Sequence, residues 1–200
     1  MTASRRTFLR SSAVLAGAVG LDGLAGRPLE ATPAPVRTPR DVGRAPAPLD
    51  ILILGGTGFT GPEQVEYALA RGHRVTLFNR NRTRPGFFKG RVEELVGDLS
   101  SDTSALAGRT FDVVIDNPTT YPAWVRNAAK HLAGNTKHYV FVSTTSVYSD
   151  QSIIGLNEQS PTAPMPADLD PYTLDPSHAG RYYGALKRRA EEEVAKQGED

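Results

Sequence analysis

Short apolar runs alternate with helical patterns along most of the chain. The runs that predict strands are rich in β-branched or aromatic residues: residues 51–54, 74–78, 92–96, 111–115 and 139–142. Helical periodicity predicts helices at residues 61–71, 122–132 and 181–196, and a shorter one near 101–107. Strands that alternate with helices are typical of βαβ units. The pattern therefore predicts an α/β fold with a doubly wound parallel sheet.

The N-terminus does not follow this alternation. Arg5 and Arg6 precede an apolar stretch over residues 12–25, which matches the pattern of a twin-arginine export signal. A basic N-terminal helix or a membrane anchor is the alternative, but the stretch is short for a span and Asp22 interrupts it. We therefore predict a twin-arginine signal region at residues 1–26, transient contact with the twin-arginine translocon, and a periplasmic or extracytoplasmic location.

A proline-rich segment separates this region from the first strand. Six prolines and four arginines stand between residues 27 and 50, with few large apolar residues. Such a composition cannot bury enough surface to offset the entropy of ordering. We predict a disordered tether at residues 27–49 and a single domain at 50–200.

Charge and composition exclude several classes of function. The 23 basic and 22 acidic residues leave a formal charge of +1, so no nucleic-acid partner is expected. The chain has no cysteine, which rules out disulfides, thiolate metal sites and a cysteine nucleophile. None of the four histidines has the spacing of paired metal ligands, so no metal is predicted.

A glycine-rich loop follows the first strand and opens a helix. Its glycines at 55, 58 and 61 have the spacing G-x-x-G-x-x-G. Such a loop lets the backbone approach a pyrophosphate, while the helix N-terminus supplies N–H donors. A turn that merely joins strand and helix is the alternative. The predicted dinucleotide-binding residues are Gly55, Thr57, Gly58, Phe59, Thr60 and Gly61.

The end of the second strand bears on the choice of dinucleotide. A carboxylate there would bond the 2′-hydroxyl of NAD, whereas an arginine would accommodate the 2′-phosphate of NADP. The chain has Asn79, Arg80 and Arg82 and no acid. A solvated basic loop would look similar, but the pattern favours NADP over NAD as the cofactor.

A tyrosine and a lysine share one face of the last predicted helix. Tyr183 and Lys187 are four residues apart, so their side chains lie close together. A phenol with a pKa near 10 needs a nearby ammonium to act as an acid or base near neutrality. Such pairs also occur by chance, so their position after the fifth strand matters.

These motifs together resemble a known family. The glycine loop, the Y-x-x-x-K pair and the segment 141–148, F-x-S-[ST]-x-x-V-Y, are similar to the NAD-dependent epimerase/dehydratase group of extended or atypical short-chain dehydrogenases. The resemblance spans residues 49–197. It implies a Rossmann-type sheet and hydride transfer between a nicotinamide and an alcohol or carbonyl substrate, possibly a sugar.

The resemblance also implies roles for individual residues. Thr144 would be the catalytic hydroxyl beside Tyr183 and Lys187, with Ser143 and Thr145 as alternatives. Asp98 and Leu99 would form the turn that contacts the adenine. The Asp-Glu pair that dehydratases use is replaced by Thr145 and Ser146, so dehydration is disfavoured.

The C-terminal part departs from the family pattern. Extended members continue into a sixth strand and a smaller lobe over the substrate, and both are expected to be missing here. Residues 149–180 are interpreted as a substrate-side loop, and a homo-oligomer is possible. The second hypothesis is therefore a non-catalytic NADP(H)-binding regulator or interaction protein, or a truncated inactive fragment.

Overall fold

The described part of the chain contains five strands and three α-helices. A computed structural model describes residues 42–175, 177 and 179–197, all within one compact unit, Val36–Asp200. The strands are β1 Asp50–Leu54, β2 Arg74–Asn79, β3 Glu93–Val96, β4 Phe111–Asp116 and β5 Thr136–Phe141. The helices are α1 Gly61–Ala70, α2 Pro122–Leu132 and α3 Tyr183–Gln197, with short 3-10 turns at Ser104–Leu106 and Thr145–Val147.

The strands form one parallel sheet in the order β3-β2-β1-β4-β5. The central strand β1 pairs on both sides, so that Ile51 lies between Val75 and Val113. The direction of the chain across the sheet reverses between β1 and β4, and in such sheets ligands bind at the carboxyl ends of the strands beside that point. The predicted doubly wound α/β fold is confirmed.

Both faces of the sheet are covered by apolar side chains. Leu52 and Leu54 of β1 pack in one cluster with Ala128 and Leu132 of α2. Alternate residues of β1 point to the other face, where Ile51 and Ile53 belong to a second cluster with Val65 and Ala68 of α1 and with Phe88. Because side chains alternate along a strand, a strand covered on both faces is apolar throughout, as β1 is.

The structure differs from the sequence prediction in two elements. β5 begins at Thr136 instead of residue 139, because its polar first residues are paired by the register Phe111–Thr136 at the edge of the sheet. The predicted short helix near 101–107 is only the 3-10 turn. Asp102 accepts a bond from the Ser104 amide, and Gly108 has a φ of +70°, so the segment turns at both ends before a helix can form.

Two long connections contain no α-helix among their described residues. Residues 80–92 join β2 to β3 through turns, and fully buried Phe88 anchors this loop in the core. Residues 149–180 contain no long helix or strand in the part that is described, apart from a bridge between Tyr148 and Thr162.

The signal region 1–26 and most of the predicted tether lie outside the described residues. Residues 42–49 lack regular structure, but the Ala45 amide bonds to the Arg71 carbonyl at 2.9 Å and the Leu49 amide bonds to His73 Nδ1 at 3.1 Å. Among the residues that were described, no helix is both long and apolar enough to cross a membrane.

Candidate active site

A cavity of about 170 Å³ opens at the carboxyl ends of β1, β2 and β3. It brings together eight of the predicted cofactor residues: Gly55, Thr57, Gly58, Asn79, Arg80, Arg82, Asp98 and Leu99. The remaining wall is formed by Phe78, Asn81, Thr83, Gly97, Pro118 and Trp124. Three separate strand ends therefore converge on one space.

The glycine loop is shaped by close backbone packing. Gly55 has a φ of +75°, and a Cβ atom there would lie 3.1 Å from the ring of Pro118. A Cβ atom at Gly61 would lie only 2.5 Å from the Gly56 backbone. Thr60 is the N-cap of α1 and makes no side-chain capping bond. The loop therefore packs closely against the first residues of α1. Because the side chain of Thr60 does not cap the helix, it leaves the first amides of α1 without a side-chain partner among the residues described.

The other predicted loop residues lie away from the cavity wall. Phe59 is fully exposed and Thr60 is exposed, whereas Gly61 is buried under the loop. The absence of a side chain at Gly61 therefore serves packing between loop and helix. Contact of Phe59 or Thr60 with a dinucleotide would come from their backbone amides, since their side chains do not line this cavity.

The end of β2 presents polar groups without strong partners. Asn79 Oδ1 accepts a bond from the Asn81 amide at 2.7 Å, while its buried Nδ2 has no partner. Arg80 and Arg82 are exposed, and neither forms an ion pair or side-chain hydrogen bond with any residue in the described part of the chain. The cavity is therefore bordered by two guanidinium groups that form no ion pair or hydrogen bond with the described residues and by Asn79, whose buried amide nitrogen has no partner there.

Asp98 faces these arginines from the end of β3. Burial acts to raise its pKa, but bonds from the Ser100 amide (2.9 Å) and hydroxyl (2.7 Å) lower it, as do the charges of Arg80 and Arg82, and the net shift is downward. The carboxylate is therefore ionised near neutrality and gives the positive loop a fixed negative neighbour.

These residues fit a dinucleotide. The glycines of the loop allow the backbone to approach a pyrophosphate closely, and the helix N-terminus behind the loop provides N–H donors. The unpartnered Nδ2 of Asn79 and the free guanidinium groups supply donors where an adenosine ribose or its phosphate would be bound.

Tyr183 and Lys187 stand at the start of α3. Tyr183 is 40% exposed and lines a second cavity of about 550 Å³. This cavity also includes the aromatic side chains Tyr121, Trp124 and Tyr172. Arg80 and Trp124 line both cavities, so the space beside Tyr183 adjoins the cavity at the glycine loop.

Lys187 is buried behind this surface, with 2% of its area exposed. Its Nζ donates to the Thr119 carbonyl at 2.8 Å and to the Val142 carbonyl at 2.5 Å, and it lies 3.9 Å from the centre of the Phe141 ring. Burial lowers the pKa of Lys187, and the negative charges of Asp116 and Glu191 offset part of that effect. The ammonium is therefore held by backbone oxygens from the ends of β4 and β5.

The predicted hydroxyl Thr144 lies just after β5, at the start of the 3-10 turn. Its Oγ1 accepts from the Ser146 amide at 3.2 Å and donates to Ser146 Oγ at 3.3 Å. The alternative Ser143 is exposed, and its hydroxyl donates to Glu191 of α3. The N-terminus of α3 packs on this turn, because Gly184 lies against the Ser146 backbone.

Several residues of this region are not among the site residues predicted from the sequence. Pro118 and Trp124 line the first cavity, and Asp116 is completely buried at the end of β4. An acid that ends an apolar strand beside the predicted crevice was a usable signal for Asp116. No group of three or more metal-ligating acids, histidines or cysteines is present among residues 42–175, 177 and 179–197.

Comparison with known proteins bears on the family and the fold of the chain. The family model "NAD dependent epimerase/dehydratase family" matches residues 51–194. A relative from Trieres chinensis, named photosystem II assembly factor Ycf39, is 35% identical over 113 residues, which is 50% of this chain and 35% of that protein. A second Ycf39, from Cyanophora paradoxa, is 37% identical over 76 residues, 37% of this chain and 24% of that protein.

Solved structures share the fold. A UDP-galactose 4-epimerase has a TM-score of 0.56 and 25% identity, and the match covers 74% of this chain and 50% of that one. The Bordetella bronchiseptica enzyme WbmG, in complex with NAD and UDP, has a TM-score of 0.54 and 18% identity over the same shares. The chain spans about half the length of these structures. The match over residues 51–194 places the chain in the NAD-dependent epimerase/dehydratase family.

Proposed function

We propose that this chain is an NAD(P)-dependent oxidoreductase or epimerase of the short-chain dehydrogenase type, acting on an alcohol or carbonyl group. The observation that carries the proposal is the placement of Lys187. Its buried ammonium is four residues from Tyr183, behind a cavity that adjoins the glycine loop. A phenol that faces solvent and an ammonium one helical turn away are the two groups that proton transfer by a tyrosine requires.

In this proposal the dinucleotide is held by the first cavity. The backbone of residues 55–61 and the N-terminus of α1 would bind the pyrophosphate, and Asp98 and Leu99 would border the adenine. NADP is preferred over NAD because Arg80 and Arg82 are free to bind a 2′-phosphate and no acid ends β2. When bound, the nicotinamide supplies the hydride chemistry.

The residues of the chain supply the proton. Tyr183 would exchange a proton with the substrate oxygen in the second cavity, and the Lys187 charge would stabilise the phenolate form. The family resemblance assigns the same substrate oxygen to Thr144, whose hydroxyl donates a long, 3.3 Å bond to Ser146 Oγ and lies outside the lining of the second cavity. The aromatic side chains around this space favour a substrate with an apolar or sugar-ring face.

A second function is favoured by the names of the relatives. Two proteins that match part of the chain are called photosystem II assembly factors. The alternative is therefore a protein that binds a dinucleotide and holds a partner protein without turnover. In that case the Tyr183 hydroxyl would be dispensable, whereas the glycine-loop cavity would not.

The remaining proposals concern the export of the protein and its partners in the cell. We propose export by the twin-arginine pathway, on the strength of Arg5, Arg6 and the apolar stretch after them. The expected partners are a small-molecule substrate, the translocon in passing, and a second copy of the chain. The test fuses the N-terminal region to a reporter protein and measures how much reporter is exported. Loss of export in the double variant Arg5→Lys and Arg6→Lys would support the proposal, and unchanged export would contradict it.

Titration with dinucleotides tests the main proposal. NADPH and NADH are added to the purified chain, and binding is followed by energy transfer from Trp124, the only tryptophan, which lines both cavities. Tyr183→Phe is measured in parallel, because this variant keeps the aromatic ring and loses the hydroxyl group that would transfer the proton. We expect NADPH to bind to both proteins and more tightly than NADH.

The outcomes separate the two functions. Reduction or oxidation of a carbonyl or alcohol panel by the parent protein, lost in Tyr183→Phe with cofactor affinity retained, supports the enzyme. Binding without turnover, together with a cellular role that Tyr183→Phe leaves intact, supports the assembly role. If neither dinucleotide binds, both proposals are wrong.

A further inference from the structure

The chain carries a buried carboxylate that the proposed chemistry does not use. Asp116 is the last residue of β4 and has no exposed surface. Its Oδ2 accepts from the Tyr139 hydroxyl at 2.7 Å, and its Oδ1 accepts from the Thr119 amide at 3.3 Å. A fully buried acid is costly unless its oxygens are bonded and its charge is balanced, so its retention at this position needs a reason.

The bonds of Asp116 lead directly to the buried lysine. The carboxylate holds the amide of Thr119, and the carbonyl of the same residue accepts from Lys187 Nζ at 2.8 Å. The loop between β4 and α2 is therefore held at two atoms of Thr119: its amide bonds to Asp116, and its carbonyl bonds to Lys187. A shift of this loop would remove one of the two carbonyls that hold Lys187.

Charge joins the two groups as well. Burial raises the pKa of Asp116 above its ordinary value, and the bonds from Tyr139 and Thr119 and the charge of Lys187 offset only part of the rise. The other titratable groups that act on Lys187 or Asp116 are Glu191, on α3, and Tyr139, on β5. Of the two acids, Glu191 is only partly buried and bonds to the Ser143 hydroxyl, while Asp116 is the one sealed from water.

We propose that Asp116 is the positioning residue for Lys187: it fixes the 116–119 loop whose carbonyl holds the ammonium, and it supplies the buried negative charge that balances it. The consequence for Tyr183 rests on the proposed function, because it requires that Lys187 act on the phenol. The placement and charge of Lys187 do not depend on that function.

The test measures Lys187 in the free protein. The pKa of its amine is followed from the ¹³Cε signal during a pH titration by NMR, with the signal assigned by its loss in Lys187→Met. Asp116→Asn removes the charge and keeps the shape. We expect the pKa of Lys187 to fall by about one pH unit or more, as loss of a nearby opposite charge requires.

Two further variants keep the test decisive. Tyr139→Phe retains the carboxyl group but removes the 2.7 Å bond that helps to keep it ionised. It should therefore lower the pKa of Lys187 by a smaller amount, and it decides the matter if Asp116→Asn does not fold. Glu66→Gln is the matched control. Glu66, on α1, is also a buried acid, but it pairs with Arg91 and not with the residues around Lys187. It should leave Lys187 unchanged.

The possible outcomes are distinct. A lower pKa of Lys187 in Asp116→Asn and Tyr139→Phe, but not in Glu66→Gln, supports the proposal. An unchanged Lys187 titration in a folded Asp116→Asn protein, or in Tyr139→Phe if the former does not fold, overturns it. Failure of the parent protein to bind a dinucleotide would contradict the proposed function, but it would not affect the conclusion about Asp116 and the pKa of Lys187.

Discussion

Gly184 lies directly against the backbone of Ser146. A Cβ atom built on Gly184 would stand 2.8 Å from the Ser146 carbonyl carbon and closer still to its oxygen. The residue after Tyr183 thus brings the start of α3 onto the turn that begins at Thr144. This contact keeps the predicted tyrosine and the predicted hydroxyl on neighbouring elements.

The first prediction concerns this contact. Gly184→Ala should destabilise the fold by about 1–3 kcal/mol, because the Ser146 backbone cannot move away as a flexible side chain could. Thermal unfolding measures the loss. Gly180→Ala is the control, since a Cβ atom at Gly180 meets nothing within 4 Å. Equal melting temperatures for the two variants would contradict the packing argument.

The second prediction concerns the choice of dinucleotide. Arg80→Gln and Arg82→Gln should each weaken NADPH binding by about 10- to 100-fold, the range expected for a lost charge-assisted hydrogen bond. NADH binding should change little. Arg84→Gln, in the same loop but with its guanidinium over the Phe87 ring, is the control. Parallel losses for NADPH and NADH would mean that the arginines do not read the 2′-phosphate.

The third prediction concerns the loop that carries those arginines. Phe88 is fully buried, whereas its neighbour Phe87 is 41% exposed. Phe88→Ala should cost about 3–5 kcal/mol of unfolding free energy, because it empties a core position. Phe87→Ala should cost much less. Denaturant unfolding of both variants compares two identical side chains in one turn, and similar losses would show that the loop is not anchored by Phe88.

The fourth prediction concerns pH. Burial acts to raise the pKa of Glu193, but bonds from Arg126 at 2.7 Å and from the Tyr172 hydroxyl at 2.6 Å outweigh it, and the pKa lies below the ordinary 4.5. An acid with a depressed pKa in the folded state stabilises the protein above its unfolded pKa, and that stability is lost as the pH falls toward the folded pKa.

Glu193→Gln should therefore be less stable than the parent near neutrality and should lose less stability below about pH 4.5. Melting temperatures between pH 3 and pH 7, taken at about one-unit steps, measure the difference. Glu192→Gln, on the same helix, is the control. Parallel pH curves for the parent and Glu193→Gln would show that the carboxylate contributes no acid-sensitive stability.

The bonds of Glu193 also tie the long connection to the domain. Tyr172 lies in the segment 149–180, and Arg126 of α2 stands 3.7 Å from the centre of its ring while pairing with Glu193 of α3. Burial, and then the hydroxyl bond to Glu193, raise the pKa of Tyr172 to about 12. The segment was expected to be a substrate-side loop, and this anchor brings Tyr172 to the wall of the second cavity.

The sequence by itself determined the parallel sheet, the positions of most elements and the glycine loop. These features depend on local pattern: the apolar run of β1 requires cover on both faces, and the helix at residues 122–132 has the bounds that its periodicity predicted. Arg80, Arg82 and Asp98 could be assigned to one place because parallel strands end at a common edge.

Only the tertiary structure decided how the site is held together. Lys187 bonds to carbonyls that are 68 and 45 residues away in the chain, and Tyr172 bonds to a carboxylate 21 residues away. Asp116 likewise accepts its shortest bond from Tyr139 of the neighbouring strand. No local pattern encodes such contacts, because backbone oxygens are identical at every residue and acquire a partner only when distant elements pack.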